Sequence, residues 1–335
     1  MLFCNGYLYA AADTSVLAGR SDGGCLSCCL SLRGRVSVVK VTLADAFAHF
    51  PACALLFVSV IAISVYRTMD KVMVGALAGM AQNGLYENAE KIIYCLSGFI
   101  SAFGNVMMPR ASHLLATGKE QDVCSGMELS MHLVLCMVCA MAFGLLGVAD
   151  RFAPLFYGAD FTDSGTLMMP LGFSLVMIGF ANVIRMQWIL PHGMDAIVLR
   201  SVLSGAAVNL VVNFLLIPCL GAMGAVIGTL MAECTVPVVQ YLHLRKALPY
   251  GAYLRTLLAY GLLGLCMTCT VRLLGRLFPL NTWGSLALLV FAGAIEYGIL
   301  CLLYWHISGV RLASRLLPAR LLSKFSHLGH TAKKG

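Results

Sequence analysis

The sequence predicts an all-α integral membrane protein of about eight transmembrane helices, and three observations point there. Only 11% of the 335 residues are charged and 60% are hydrophobic, against about 25% charged in a soluble domain. The mean hydropathy is +0.86, so lipid must be much of the solvent, and in lipid only helices or a closed barrel satisfy the backbone internally. The apolar residues also fall in long runs, near the ~20 residues a spanning helix needs, rather than in the ~10-residue alternating strands of an outer-membrane barrel.

Taken in order, residues 1–41 differ from the rest and are expected to form a loosely structured leader. Met1–Ala12 lacks the basic start and the apolar length of a signal peptide, and Ser21–Arg35 mixes Gly, Ser, Cys and Arg. Residues 42–308 are expected to form the helical bundle. Its spans fall at about 47–66, 86–109, 126–148, 166–190, 197–217, 222–243, 254–275 and 283–305. Residues 309–335 read as a basic amphipathic tail. Leu312, Leu316, Leu317, Leu321 and Phe325 recur at helical spacing between Arg311, Arg315, Arg320 and Lys324, a pattern suited to an anionic lipid surface.

The loop charges set the expected orientation. With both termini cytoplasmic, sixteen of the 23 Lys and Arg residues fall on the cytoplasmic side. Five fall outside (Arg67, Lys71, Arg151, Arg272 and Arg276), and Lys91 and Arg185 lie within spans. Cytoplasmic loops carry such an excess of cations, so a multi-pass protein of the cell membrane with an even number of spans is expected. The same distribution explains the formal charge of +8 without nucleic acid, which is not expected as a partner.

Several function classes find no support. There is no P-loop, no H-E-x-x-H and no G-x-S-x-G, so no enzyme is expected. Of the fourteen cysteines, most sit singly in apolar runs as small hydrophobes. The Cys136/Cys139 and Cys266/Cys269 pairs are read as packing, and the Cys25, Cys28, Cys29 cluster lacks a second half-site. No metal or other cofactor is expected. His113, His132, His192 and His243 are placed at cytoplasmic ends or loops, solvated or interfacial.

A series of short patterns then carries a family resemblance. They run Ser64-Val-Tyr66-Arg67-Thr-Met-Asp70-Lys71, Gly84-Leu-Tyr86-Glu-Asn-Ala89-Glu-Lys91, Val106-Met-Met-Pro109-Arg110, and Gly179-Phe-Ala-Asn182. After these come Gln187-Trp-Ile-Leu-Pro191-His-Gly193, Asn209-Leu-Val-Val-Asn213 and Gly221-Ala-Met-Gly224-Ala-Val-Ile-Gly-Thr229 through Glu233. In this order, over about residues 42–305, the chain resembles the O-antigen and capsule flippases of the polysaccharide transporter family. That family lies within the multidrug, oligosaccharidyl-lipid and polysaccharide exporter superfamily. The resemblance implies two six-helix lobes around a cavity, of which these spans match the second lobe plus two C-terminal helices. It implies translocation of a polyprenyl-pyrophosphate-linked oligosaccharide by alternating access. Membrane lipids and the lipid-linked glycan are the expected partners, with a separate N-terminal lobe or a second copy completing the cavity. The alternatives are a multidrug and toxin extrusion type cation antiporter, or a non-transporting truncated lobe or assembly partner.

A charge at mid-membrane costs ~2.5–3.5 kcal/mol even on insertion scales, so the charges in spans are the candidate site residues. Arg185 follows Asn182 by three positions on a similar helix face. It either meets an anionic head group bidentately or snorkels to the interface. Lys91 follows Glu87 in the favourable i,i+4 order, as a structural pair or as a cation of the cavity with Glu87 or Glu90 assisting. Glu233 and Glu296 are candidates for ion coupling or for structural carboxylates. Arg67 and Asp70 stand at the outer mouth, where an ion pair closing the span is the simplest expectation.

Overall fold

The computed structural model describes residues 68–277 and 282–308. The chain divides into two compact units, Met1–Met69 and Asp70–Gly335. Of the first unit only Thr68 and Met69 are described, and both are helical. The expected leader, the span at 47–66, Arg67 and the tail lie outside the described residues.

Within the second unit a helical stretch over 70–77 ends at Gly79, whose φ of 91° turns the chain into the first long helix. Seven long α-helices follow among the described residues: α1 (Met80–Ala116), α2 (Glu120–Tyr157), α3 (Thr162–Ile184), α4 (Asp195–Leu220), α5 (Ala222–Leu244), α6 (Tyr250–Leu277) and α7 (Trp283–Ser308). All seven are long and apolar enough to cross a membrane, so this is a multi-pass membrane protein. Each meets one of the spans expected between residues 86 and 305. The helices outrun the apolar segments because helical hydrogen bonding continues into their polar ends. At 37 residues, α1 is about 55 Å long, against ~30 Å of hydrocarbon.

Small residues set the packing. On α3, Gly165, Gly172 and Gly179 recur every seventh residue and so stay on one face, turned to α2. A β-carbon on Gly165 would lie 2.5 Å from the Ala149 carbonyl oxygen, and one on Gly179 would lie 2.8 Å from the Val138 side chain. Without a hydrophobic drive between helices in lipid, such close approach is what dispersion needs. The hairpin of α4 and α5 turns at Gly221, with φ 59°. It closes as tightly, for a β-carbon on Gly224 would lie 2.6 Å from the Leu216 carbonyl. The side chain of Gln82 on α1 accepts the Ala222 amide proton at 3.2 Å, which caps the start of α5.

The pair α6 and α7 packs against α2. Two arginines clasp this seam in opposite directions. Arg272 on α6 donates to the Leu146 carbonyl at 2.8 Å, and Arg151 on α2 donates to the carbonyl of Gly275. Thr268 adds a bond to the Phe143 carbonyl at 2.6 Å. Here the structure corrects one expectation. His132 is not interfacial but 8% exposed, with Nδ1 3.2 Å from the Tyr260 hydroxyl. That hydroxyl also accepts from Trp305 Nε1 at 2.8 Å. A buried partner on the facing helix keeps the imidazole inside.

Candidate substrate and ion site

Among the buried polar groups of the described residues, two features concern the sequence candidates. The first is built around Asp70, which is 9% exposed. Its Oδ1 accepts from Asn213 Nδ2 at 2.7 Å. Its Oδ2 accepts from the Tyr86 hydroxyl at 3.2 Å and stands 3.2 Å from the Thr229 hydroxyl. Thr229 Oγ1 is also 3.0 Å from the Tyr86 oxygen and 3.0 Å from the Ala225 carbonyl, and its single proton serves one of them at a time. Asn209 and Asn213 lie one turn apart on α4, and Asn213 Nδ2 donates to Asn209 Oδ1 at 3.2 Å.

Four elements thus converge on one carboxylate: the 70–77 helix, α1, α4 and α5. Gly228 leaves the room, since a β-carbon there would overlap Asn213 Oδ1. That oxygen is buried and has no hydrogen-bond partner. The oxygens of the cluster are one carboxylate, two side-chain amide oxygens, the Tyr86 and Thr229 hydroxyls and the Ala225 carbonyl. This set is hard and oxygen-only, chemistry suited to a proton or a small hard cation rather than to a transition metal. No group of three or more His, Cys, Asp or Glu able to hold a metal occurs among the described residues.

The second feature is Arg185, at the point where α3 widens into a π-helical turn over Arg185–Ile189. The Arg185 amide is shared between the Ala181 and Asn182 carbonyls, and the Leu190 amide reaches five residues back to the Arg185 carbonyl at 3.0 Å. The π turn forms the C-terminal end of α3, ahead of the turn over 190–193. The Arg185 side chain is half-buried, and its Nε is buried without a partner. None of the three ion pairs among the described residues includes it. The carboxylate whose field it feels is Glu233 on α5, one turn beyond Thr229. Asn182, 3% exposed, packs its amide oxygen against Gly104 of α1 one turn before Arg185.

The remaining sequence candidates are placed elsewhere. Glu87 and Lys91 form the i,i+4 ion pair at 3.3 Å on the exposed side of α1. Glu90 pairs with Lys71 at 2.8 Å, a partner the sequence did not suggest. Glu296 accepts from Thr270 at 2.9 Å between α6 and α7.

These geometries belong to a fold that has been seen before. The chain is similar to the solved lipid II flippase MurJ in an inward closed conformation, with a TM-score of 0.65 at 14% identity. The likeness covers 84% of this chain and 60% of that one, and it is a likeness of fold. Residues 3–115 match the family model described as polysaccharide biosynthesis protein. This chain resembles polysaccharide flippases.

The family match begins inside the segment expected to be a leader. Among curated proteins, the chain is 22% identical over 263 residues to the protein of Haloferax volcanii named as a probable low-salt glycan biosynthesis flippase, Agl15, covering 76% of this chain and 54% of that protein. It is 24% identical over 181 residues to a protein of Shigella dysenteriae provisionally named an O-antigen transporter, covering 54% and 44%. A protein of Escherichia coli with the same provisional name is 23% identical over 210 residues, covering 62% and 48%. The chain therefore spans about half the length of the curated relatives it matches.

Sequence reading missed the partners of Asp70 and the π turn of this flippase-like bundle. Tyr86, Asn209, Asn213 and Thr229 stood in the motifs that carried the resemblance, but without a role. The usable signal was two amides at i,i+4 in an otherwise apolar run, since polar groups in a span face the bundle interior.

Proposed function

We propose that this chain takes part in flipping a polyprenyl-diphosphate-linked oligosaccharide from the cytoplasmic to the outer leaflet of the cell membrane, and that Arg185 receives the diphosphate. The observation that carries the reading is the orphaned Arg185 Nε. A buried donor left unpaired costs about 1–3 kcal/mol, more when charged, and a guanidinium fork matches a phosphate bidentately. The π turn widens α3 where that side chain departs, and Asn182 fixes the turn before it. The family match and the flippase names of the relatives support the substrate class. A cation antiporter would place carboxylates rather than an unpaired arginine toward its substrate.

The Asp70 cluster is the candidate for ion coupling. A proton or Na⁺ entering it replaces hydrogen bonds that now hold the 70–77 helix, α1, α4 and α5 together, so its occupancy biases how these helices pack. Glu233, one turn beyond Thr229 on α5, interacts by charge with both Arg185 and Asp70 and so links the ion site to the substrate site. Glu296 is bonded within the α6 and α7 pair and is the weaker coupling candidate. The rest of the cavity wall comes from an N-terminal lobe or a second copy. Both termini face the cytoplasm, as the loop cations favour.

The test is complementation in a strain from which the gene has been deleted, reading surface glycan and intracellular lipid-linked oligosaccharide at matched protein level. Arg185→Ala is expected to abolish export and accumulate the precursor, and Arg185→Lys to restore it in part, because a point charge lacks the fork. Full export with Arg185→Ala would return Arg185 to the class of snorkelling residues.

A further inference from the structure

The cysteines read from sequence as packing include one pair that the fold turns toward each other. Cys136 is on α2 and Cys301 is on α7, 165 residues apart in the chain, with their sulfur atoms 3.6 Å apart. The spacing in sequence suggested Cys139 as the neighbour of Cys136. The structure instead gives Cys136 a thiol partner on another helix. Cys301 is 3% exposed and Cys136 is half-buried.

The register around the pair is held on both sides. One turn before Cys301, the Tyr297 hydroxyl donates to the Cys136 carbonyl at 2.9 Å. One turn after it, Trp305 donates to the Tyr260 hydroxyl, which also meets His132 one turn before Cys136. The numbering falls along α2 as it rises along α7, so the two helices run antiparallel with the thiols facing. Closing a disulfide of about 2.05 Å from here needs side-chain rotation through roughly 1.6 Å, without a change of helix register.

We propose that Cys136 and Cys301 are a redox modification site whose oxidation to a disulfide locks α7 onto α2. With hydrogen peroxide as oxidant, one thiolate attacks a peroxide oxygen, the O–O bond breaks, and a sulfenic acid forms with release of hydroxide. The second thiol attacks that sulfur, the S–S bond forms and water leaves. In sum two thiols are oxidised, one peroxide is reduced, and two waters are produced. Cys136, the less buried of the two, is oxidised first in this scheme, and Cys301 resolves it. Cys139, fully buried one turn away, remains reduced.

The experiment uses the full chain in detergent, oxidised with hydrogen peroxide or kept in dithiothreitol. Free thiols are then blocked with N-ethylmaleimide, and the digest is read by mass spectrometry. The expected result is a peptide pair joining Cys136 to Cys301 that dithiothreitol separates, with Cys139 alkylated. The oxidised protein should melt higher than the reduced protein, and this difference should vanish in Cys301→Ser and in Cys301→Ala but survive in Cys139→Ser. Pairing of Cys136 with Cys139, over-oxidation of both cysteines without a bond between them, or full alkylation of Cys136 and Cys301 after peroxide would each overturn the proposal.

Discussion

Gly224→Ala is expected to destabilise the bundle by about 2 kcal/mol, and the figure follows from the geometry of the α4–α5 hairpin. A β-carbon at 224 would lie 2.6 Å from the carbonyl carbon and oxygen of Leu216 and 2.7 Å from the amide nitrogen of Ile217. These are backbone atoms of a helix and cannot rotate aside. Reaching ordinary contact requires the helices to part by roughly 0.8 Å, and a gap of that size forfeits about a quarter to a half of each dispersion contact. Overpacking costs about 1–3 kcal/mol, and the rigid neighbour puts this site at the upper end. Replacing glycine in a helix returns about 1 kcal/mol. Gly261 on α6, with nothing within 4 Å of its β-carbon position, is the control, and Gly261→Ala keeps only the favourable part. Thermal unfolding in detergent, followed with a thiol-reactive dye at matched expression, should lower the melting temperature of Gly224→Ala and raise that of Gly261→Ala slightly. An equal or higher melting temperature for Gly224→Ala would refute the close approach of α4 and α5.

Gly228→Ala is expected to act on function more than on stability, because the β-carbon meets the Asn213 side chain and turns it away from Asp70. Export should fall as it does in Asn213→Ala, and unchanged export would detach Asn213 from the mechanism. Asp70→Asn removes the charge while keeping the shape, so export should lose its dependence on a proton or Na⁺ gradient. A variant that still responds to the gradient would clear Asp70 of that role. Lys91→Ala breaks an exposed i,i+4 pair worth about 0.3–0.5 kcal/mol, so both melting temperature and export should stay near wild type, and a large loss of export would put Lys91 in the substrate path. In a cysteine-depleted background, a cysteine at Asp160 should react with an impermeant maleimide from outside intact cells, whereas labelling only after lysis would reverse the orientation.

Much of the fold was legible because composition and run length decide what a helix in lipid must be. The heptad of Gly165, Gly172 and Gly179 was equally open to reading, as two helical turns bring each onto the same face, and it names the face of α3 that meets α2. The charged candidates were legible as costs: Arg185 and Glu233 stand out in apolar runs because a membrane charge needs a reason. Their partners were not. Asp70 precedes Asn213 and Thr229 by 143 and 159 residues, and only the packing of four elements brings them together. Thiol partnership failed for the same reason, with spacing drawing attention to Cys139 while the opposite helix supplied Cys301. The π turn at Arg185–Ile189 has no sequence signature that we can state in physical terms.

The most direct test is whether the chain holds a diphosphate lipid through Arg185. Native mass spectrometry of the purified chain, released from lipid nanodiscs containing polyprenyl diphosphate, reads that complex without requiring transport. A charge-assisted hydrogen bond contributes about 1.5–3 kcal/mol, so Arg185→Ala should weaken binding about tenfold or more, with Arg185→Lys between it and wild type and Asp70→Asn close to wild type. Equal retention of polyprenyl diphosphate by wild type and Arg185→Ala would contradict the assignment.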